Sequence, residues 1–134
     1  MRKLFYGTIF LLLSTAASAQ NPPFEAVWDN RFGGSMDESV ANFLLLQDDS
    51  YVIGGTSFSG ISGDKTEDNR DTTLQTSDFW LVKTDALGQK LWDKRYGGDN
   101  NEVMVELIAT ADGGFLMVGQ SFSSVSGDKS QDNW

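Results

Sequence analysis

The chain has 134 residues, is 40% hydrophobic and 12% aromatic, and contains neither Cys nor His. This is a globular composition, and it excludes disulfide frameworks, thiolate metal sites and every catalytic constellation built on a Cys nucleophile or a His base. The formal net charge of −9, which becomes −11 without Arg2 and Lys3, argues against nucleic acid and anionic membrane as partners, since both require a basic face.

Residues 1–19 have the three parts of a secretory signal peptide. Arg2 and Lys3 give a positive start, Leu4–Leu13 is an apolar run broken by Gly7 and Thr8, and Ala17-Ser18-Ala19 is a small-residue cleavage signal. The run is too short to span about 30 Å of hydrocarbon. The protein is therefore expected to leave the cytoplasm by the Sec route and to be secreted or held at the cell surface, with no membrane insertion after cleavage. With no Cys, the exported chain must be held together by packing or by ions.

Beyond a short extended segment, 20–27, the chain is written twice. Trp28–Asn69 recurs as Trp92–Asn133 at an offset of 64 with no gap. A fixed period of this kind is the mark of a repeat architecture. Ala26–Phe32 alternates with period two and predicts a strand, ended by Gly33-Gly34. Val40–Gln47 and its counterpart from Met104 are apolar runs that periodicity alone allows to be helical. Asp112-Gly113-Gly114 decides for strands, because it predicts a tight type I′ hairpin; Asp48-Asp49-Ser50 is the weaker version in the first copy. The returning arms, Tyr51–Ile53 and Phe115–Val118, are apolar without alternation, which predicts cover on both faces. A long polar loop, 60–77, precedes the strand Asp78–Asp85. Gly88 sits at the left-handed position of the next hairpin loop, and Gln89–Tyr96 returns.

One unit thus has four antiparallel strands near 40–47, 50–57, 78–85 and 89–96. The expected fold is all-β, with four-stranded units stacked as β-propeller blades across residues 28–134. The 115 residues after position 19 hold fewer than two units, about one and a half blades, where a propeller closes with about four to eight. The chain therefore reads as the N-terminal piece of a longer protein. It needs further blades of its own or an assembly, and alone it exposes apolar faces and edges.

The stretch DFWLVKTDALGQKLWDKRYGG at Asp78–Gly98, followed by TADGGF at Thr110–Phe115, resembles the units of large secreted or surface β-propeller-like proteins of Bacteroidetes and related bacteria. That resemblance covers nearly all of the chain after the leader. It implies export, a propeller architecture and, in many such proteins, a C-terminal domain for type IX secretion. It implies little about activity, because propellers host many functions.

Among candidate sites, the loop Gly63–Asn69 recurs as Gly127–Asn133. Asp64, Asp68 and Asn69, with Asp128, Asp132 and Asn133, are the oxygen donors a Ca²⁺ ion would take. Their spacing is not that of known calcium loops, Glu67 is replaced by Gln131, and Asp and Asn also shape turns. The pair Asp37-Glu38, matched by Asn101-Glu102, suits strand capping better than the acid/base work of a glycosidase. Trp28, Trp80 and Trp92 fit core packing better than sugar stacking. The function expected is a non-enzymatic, extracellular scaffold or binding segment, with no cofactor beyond possible calcium and an extracellular protein or glycan as partner. A carbohydrate-binding or carbohydrate-active propeller and a calcium-stabilised adhesin are the alternatives.

Overall fold

The computed structural model describes residues 28–133. The leader 1–19, the segment 20–27 and the first residues of the expected strand Ala26–Phe32 lie outside the described residues. Within them the fold is all-β. Strands β1 (Glu38–Leu45), β2 (Tyr51–Ser57), β3 (Asp78–Thr84) and β4 (Lys90–Tyr96) form one antiparallel sheet in sequential order, and β5 (Glu102–Ala109) and β6 (Phe115–Ser121) form a second, two-stranded one. The boundaries follow the alternation and turn signals of the sequence within two residues.

The described part of the Ala26–Phe32 stretch is not a strand. A strand exists by virtue of its ladder partner. Trp92–Tyr96, the counterpart 64 residues on, lies within β4 and pairs with β3. Trp28–Phe32 has no such strand beside it among the described residues. It is held by side chains instead: Trp28 meets Tyr51 edge-on at 5.6 Å, and Asn30 Nδ2 donates to Gly88 O at 2.9 Å.

The three hairpins of the described residues share one loop geometry; Gly88 takes the left-handed position expected of it, while the other two do not form the type I′ turn expected. In each, a single residue is left-handed: Asp49 (φ 60°), Gly88 (φ 74°) and Gly113 (φ 83°). Each donates its N–H three residues back, to Leu46, Asp85 and Thr110, and the next pair closes a wider ring. This is a type I turn followed by one left-handed residue. A carboxylate stabilises each: Asp48, Asp85 and Asp112 accept from the backbone N–H groups of Ser50, Leu87 and Gly114 at 2.9–3.2 Å.

The two sheets pack face to face. Leu44, Val52, Phe79, Leu81 and Trp92 project from one face of the four-stranded sheet. Met104, Leu107, Phe115 and Met117 of the β5–β6 hairpin lie against it, with Val52, Leu81, Met104 and Leu107 fully buried. At roughly 1.5–3 kcal/mol per buried side chain of this size, this seam is the main apolar contribution to stability. Gly54 sets its closeness: a Cβ there would lie 2.8 Å from Met104 Sδ and 3.1 Å from Leu107 Cδ2. Asn42 Nδ2 and Thr56 Oγ1 add polar bonds across the seam, to Leu107 O and from Met104 N.

Cover on both faces, expected for β2 and for Phe115–Val118, is uneven. Val52 is fully buried and Tyr51 and Ile53 half-buried, whereas Leu116 and Val118 of β6 are exposed. The hairpin has one covered face because only one sheet lies against it.

Asp49 is the one left-handed hairpin residue that is not Gly. Asp49→Gly is expected to raise stability by roughly 0.5–1 kcal/mol, read as a higher urea midpoint at unchanged slope.

Candidate functional site

The long loop after β2 is a folded structure with a cation at its centre, and the cation is a side chain. Gly63 (φ 54°) turns the chain so that Ser62 and Lys65 bridge each other. The turn carries Lys65 inward to 1% exposure. Its ammonium donates to Ser59 O at 2.6 Å and to Asn69 Oδ1. Asn69 Nδ2 in turn donates to Ser57 O and Thr76 O at 3.0 and 3.1 Å, which ties the loop's two ends together. Burial pulls the Lys65 pKa down, opposed by the charges of Asp78, Glu38 and Asp68. In the second copy Lys129 donates to Ser123 O at 2.5 Å and to Asn133 Oδ1.

A second anchor sits where each sheet begins. Glu38 accepts from Gly34 N at 3.2 Å and from the hydroxyls of Ser57 and Ser59. Glu102 accepts from Gly98 N at 3.0 Å and from Ser121 and Ser123 at 2.8 and 2.6 Å. Each carboxylate joins a connector, a strand end and a loop start. Asp37 and Asn101 offer backbone carbonyls to Phe58 N and Phe122 N, and Asn101 Oδ1 also accepts from Ser77 N at 3.0 Å.

The loop is then laid along β4. Asp93, buried in β4, accepts from Thr66 N (2.9 Å), Thr66 Oγ1 (2.7 Å), Trp80 Nε1 (3.0 Å) and Lys90 Nζ (2.9 Å). Burial by itself would raise its pKa, but these four donors outweigh it and hold the carboxyl at about 2. Glu67 accepts from Arg95 N at 2.8 Å and pairs with Lys94.

The six residues weighed as calcium ligands are placed as follows. Asp64 accepts from Gly33 N at 3.2 Å. Asp128 accepts from Gly97 N at 3.0 Å and from Arg95 Nη1 at 3.1 Å. Asp68 offers its backbone carbonyl to Arg95 Nε at 3.0 Å, and Asp132 Oδ1 accepts from Asn133 N at 2.9 Å. Asn69 and Asn133 face the lysines. Among the described residues no three acidic side chains converge as a metal would require. The tryptophans are likewise engaged in packing: Trp92 lies 6.5 Å from Phe115, repeating the Trp28–Tyr51 pair 64 residues earlier.

Lys65 and Asp93 escaped the sequence reading, which looked for oxygen ligands, whereas Glu38 and Glu102 were read there as capping residues. A signal existed for Lys65, which is identical in the two copies, as Lys129.

Among the described residues one buried side-chain polar atom has no partner. Asp78, fully buried at the head of β3, accepts from Arg70 N through Oδ2 at 2.7 Å and lies 3.6 Å from Arg95 Nε, while its Oδ1 has no partner. Glu102 is its neighbour beneath Gly97, where an added Cβ would come within 2.8 Å of both carboxyl groups. Burial pushes Asp78 up to about 6, with the Glu102 charge adding to this and the Arg70 N–H and Arg95 opposing it. Beside them opens a cleft of about 280 Å³ lined by Phe79, Tyr96, Glu102, Met117, Asp128 and Lys129 among others.

No family model matches the chain, and neither a curated protein nor a solved structure matches it significantly.

Two outcomes test this site. Lys65→Met leaves Ser59 O and Asn69 Oδ1 without their donor and should cost roughly 2–4 kcal/mol, with early proteolysis between residues 60 and 77. Asp78 has a folded-state pKa above its unfolded value, so the folded protein keeps a proton that the unfolded chain releases. Stability should then fall by roughly 2–3 kcal/mol as pH rises from about 4 to about 6 and level off above. Asp78→Asn should flatten that slope in thermal melts across the same range.

Proposed function

We propose that this chain is an exported, non-enzymatic scaffold or binding segment whose sheets stack as blades of a β-propeller. The observation that carries the reading is the seam between the sheets. Met104, Leu107, Phe115 and Met117 of the second hairpin meet the first sheet, and the positions 64 residues earlier, Val40, Phe43, Tyr51 and Ile53, form the face that Trp28 packs on. Equivalent faces taking equivalent contacts are what successive blades require.

The loop 60–77 supports a presentation role. It is long and polar, yet pinned at Lys65, Asn69, Thr66 and Glu67, so its outer residues are offered on a fixed base. An extracellular protein or glycan is the class of partner for such a rim. Lys65 and Lys129 already take loop oxygens that a calcium ion would use, which weighs against the calcium-stabilised alternative.

Tandem chains of four to eight copies of the unit 38–101 test the architecture. The expected result is a radius of gyration, measured by X-ray scattering, that stops rising at the copy number that closes a ring. Growth in proportion to copy number would mean an open stack and would overturn the propeller.

A further inference from the structure

Lys65 and Asn69 meet in a way that chemistry can make permanent. Both are buried, at 1% and 2% exposure, and Lys65 Nζ donates to Asn69 Oδ1. Oδ1 is bonded to Cγ, so the amine stands beside a carboxamide carbon. Among the described residues Lys65 has no carboxylate within ion-pair distance, and its other bond is to Ser59 O. A buried lysine bonded only to neutral oxygens gives up its proton readily, and the neutral amine is a nucleophile. Asn69 is held in place, because its Nδ2 donates to Ser57 O and Thr76 O at 3.0 and 3.1 Å. A buried carboxyl group completes the set. Asp78 is the ladder partner of Ser57 and follows Thr76 by two residues, so it flanks both carbonyls that hold Asn69. Its Oδ2 accepts from the N–H of Arg70, the residue after Asn69, at 2.7 Å, and its Oδ1 has no partner among the described residues. Burial lowers the Lys65 pKa, and of the charges acting on that lysine the Asp78 charge is the largest. Burial also pushes Asp78 up to about 6, where a carboxyl group both gives and takes a proton near neutrality.

We propose that, once the loop has folded, Lys65 and Asn69 join in an intramolecular isopeptide bond. The Nζ lone pair attacks Cγ of Asn69, the new C–N bond forms, the Cγ–Nδ2 bond breaks, and Nδ2 leaves as ammonia. Asp78 takes one proton from Nζ and delivers one to Nδ2, so it ends as it began. The step balances without oxidant or cofactor: an amine and a primary amide become a secondary amide and ammonia. The hydrogen-bonded loop is the reactant, and exclusion of water from the buried pair removes the competing hydrolysis. The product is a ring closed over residues 65–69, a covalent brace in a chain that has no Cys. Lys129 and Asn133 make the same contact in the second copy, but Asn133 is exposed, so one bond per chain is expected.

Mass spectrometry of the purified, folded chain and of its tryptic peptides tests this. The expected result is a peptide spanning residues 32–70 that is lighter than its sequence by one ammonia. Trypsin should fail to cut after Lys65, and fragmentation of that peptide should give no breaks between residues 65 and 69. Locating the loss in this peptide tells it apart from ammonia lost elsewhere in the chain. Lys65→Arg and Asp78→Asn should keep the far-ultraviolet spectrum of the parent and show the full sequence mass over the same residues. Asp78→Ser serves if Asp78→Asn fails to fold. A folded parent with full mass over residues 32–70, or with cleavage after Lys65, overturns the proposal whatever the variants do. A folded Asp78 variant that still carries the bond overturns the role given to Asp78.

Discussion

A buried ammonium organises the loop on which the rest of the surface stands. The chain has no disulfide and no His, so the twenty residues between β2 and β3 must be ordered by ordinary polar chemistry. Burying a charge costs several kcal/mol unless it is fully bonded, and a loop that meets that demand is forced into one conformation. Lys65 imposes the demand, and Ser59 O and Asn69 Oδ1 meet it. Once Asn69 is placed, Thr66 and Glu67 fall against β4, and the outer edge of the sheet is covered along Asp93–Arg95. Covering that edge removes a row of groups that would otherwise invite another strand.

Packing and polar bonding divide the work between them. The seam between the sheets is apolar at its centre and polar at its margins, where Asn42 and Thr56 reach backbone groups of β5. Glu38 and Glu102 hold the corners. Their serine partners are small, and that lets one carboxylate touch a connector and a strand end at once. The cost of this economy is visible at Asp78, which shares its buried corner with Glu102 and is left with one carboxylate oxygen that no donor among the described residues reaches.

The strands were legible because their signals are local. Alternation, the Gly-Gly breaks and the Asp-rich turns place β1–β4 within two residues. The turn type was not, since Asp112-Gly113-Gly114 suits two loop geometries, and the choice falls to a single left-handed residue, Gly113, with the Asp112 carboxylate bonding Gly114 N. The Trp28 segment alternates like a strand, yet a ladder needs a neighbour, and alternation carries no information about neighbours. At the loop, Asp64, Asp68 and Asn69 were singled out as oxygen ligands, and in the structure they go to three different partners: Gly33 N, Arg95 Nε (through the Asp68 backbone carbonyl) and Lys65 Nζ. Their role was hidden because the decisive residue is Lys65, and a lysine in a polar loop gives no sequence sign of burial. Asp93 was hidden for the same reason: its four donors come from Thr66, Trp80 and Lys90, which only the fold brings together.

The bonds from Asp64 to Gly33 and from Asp128 to Gly97 span 31 residues each, and they recur at the same separation. Each sheet is thus fastened to what precedes it by its own loop, over a short stretch of chain. The seam between the sheets adds longer links, from Asn42 to Leu107 and from Met104 to Thr56, 65 and 48 residues apart. Loop-closure entropy grows only slowly with length, so every junction carries about the same modest ordering cost however many follow it. Folding can therefore advance in the order of synthesis, with each junction set by the time its loop has emerged from the ribosome.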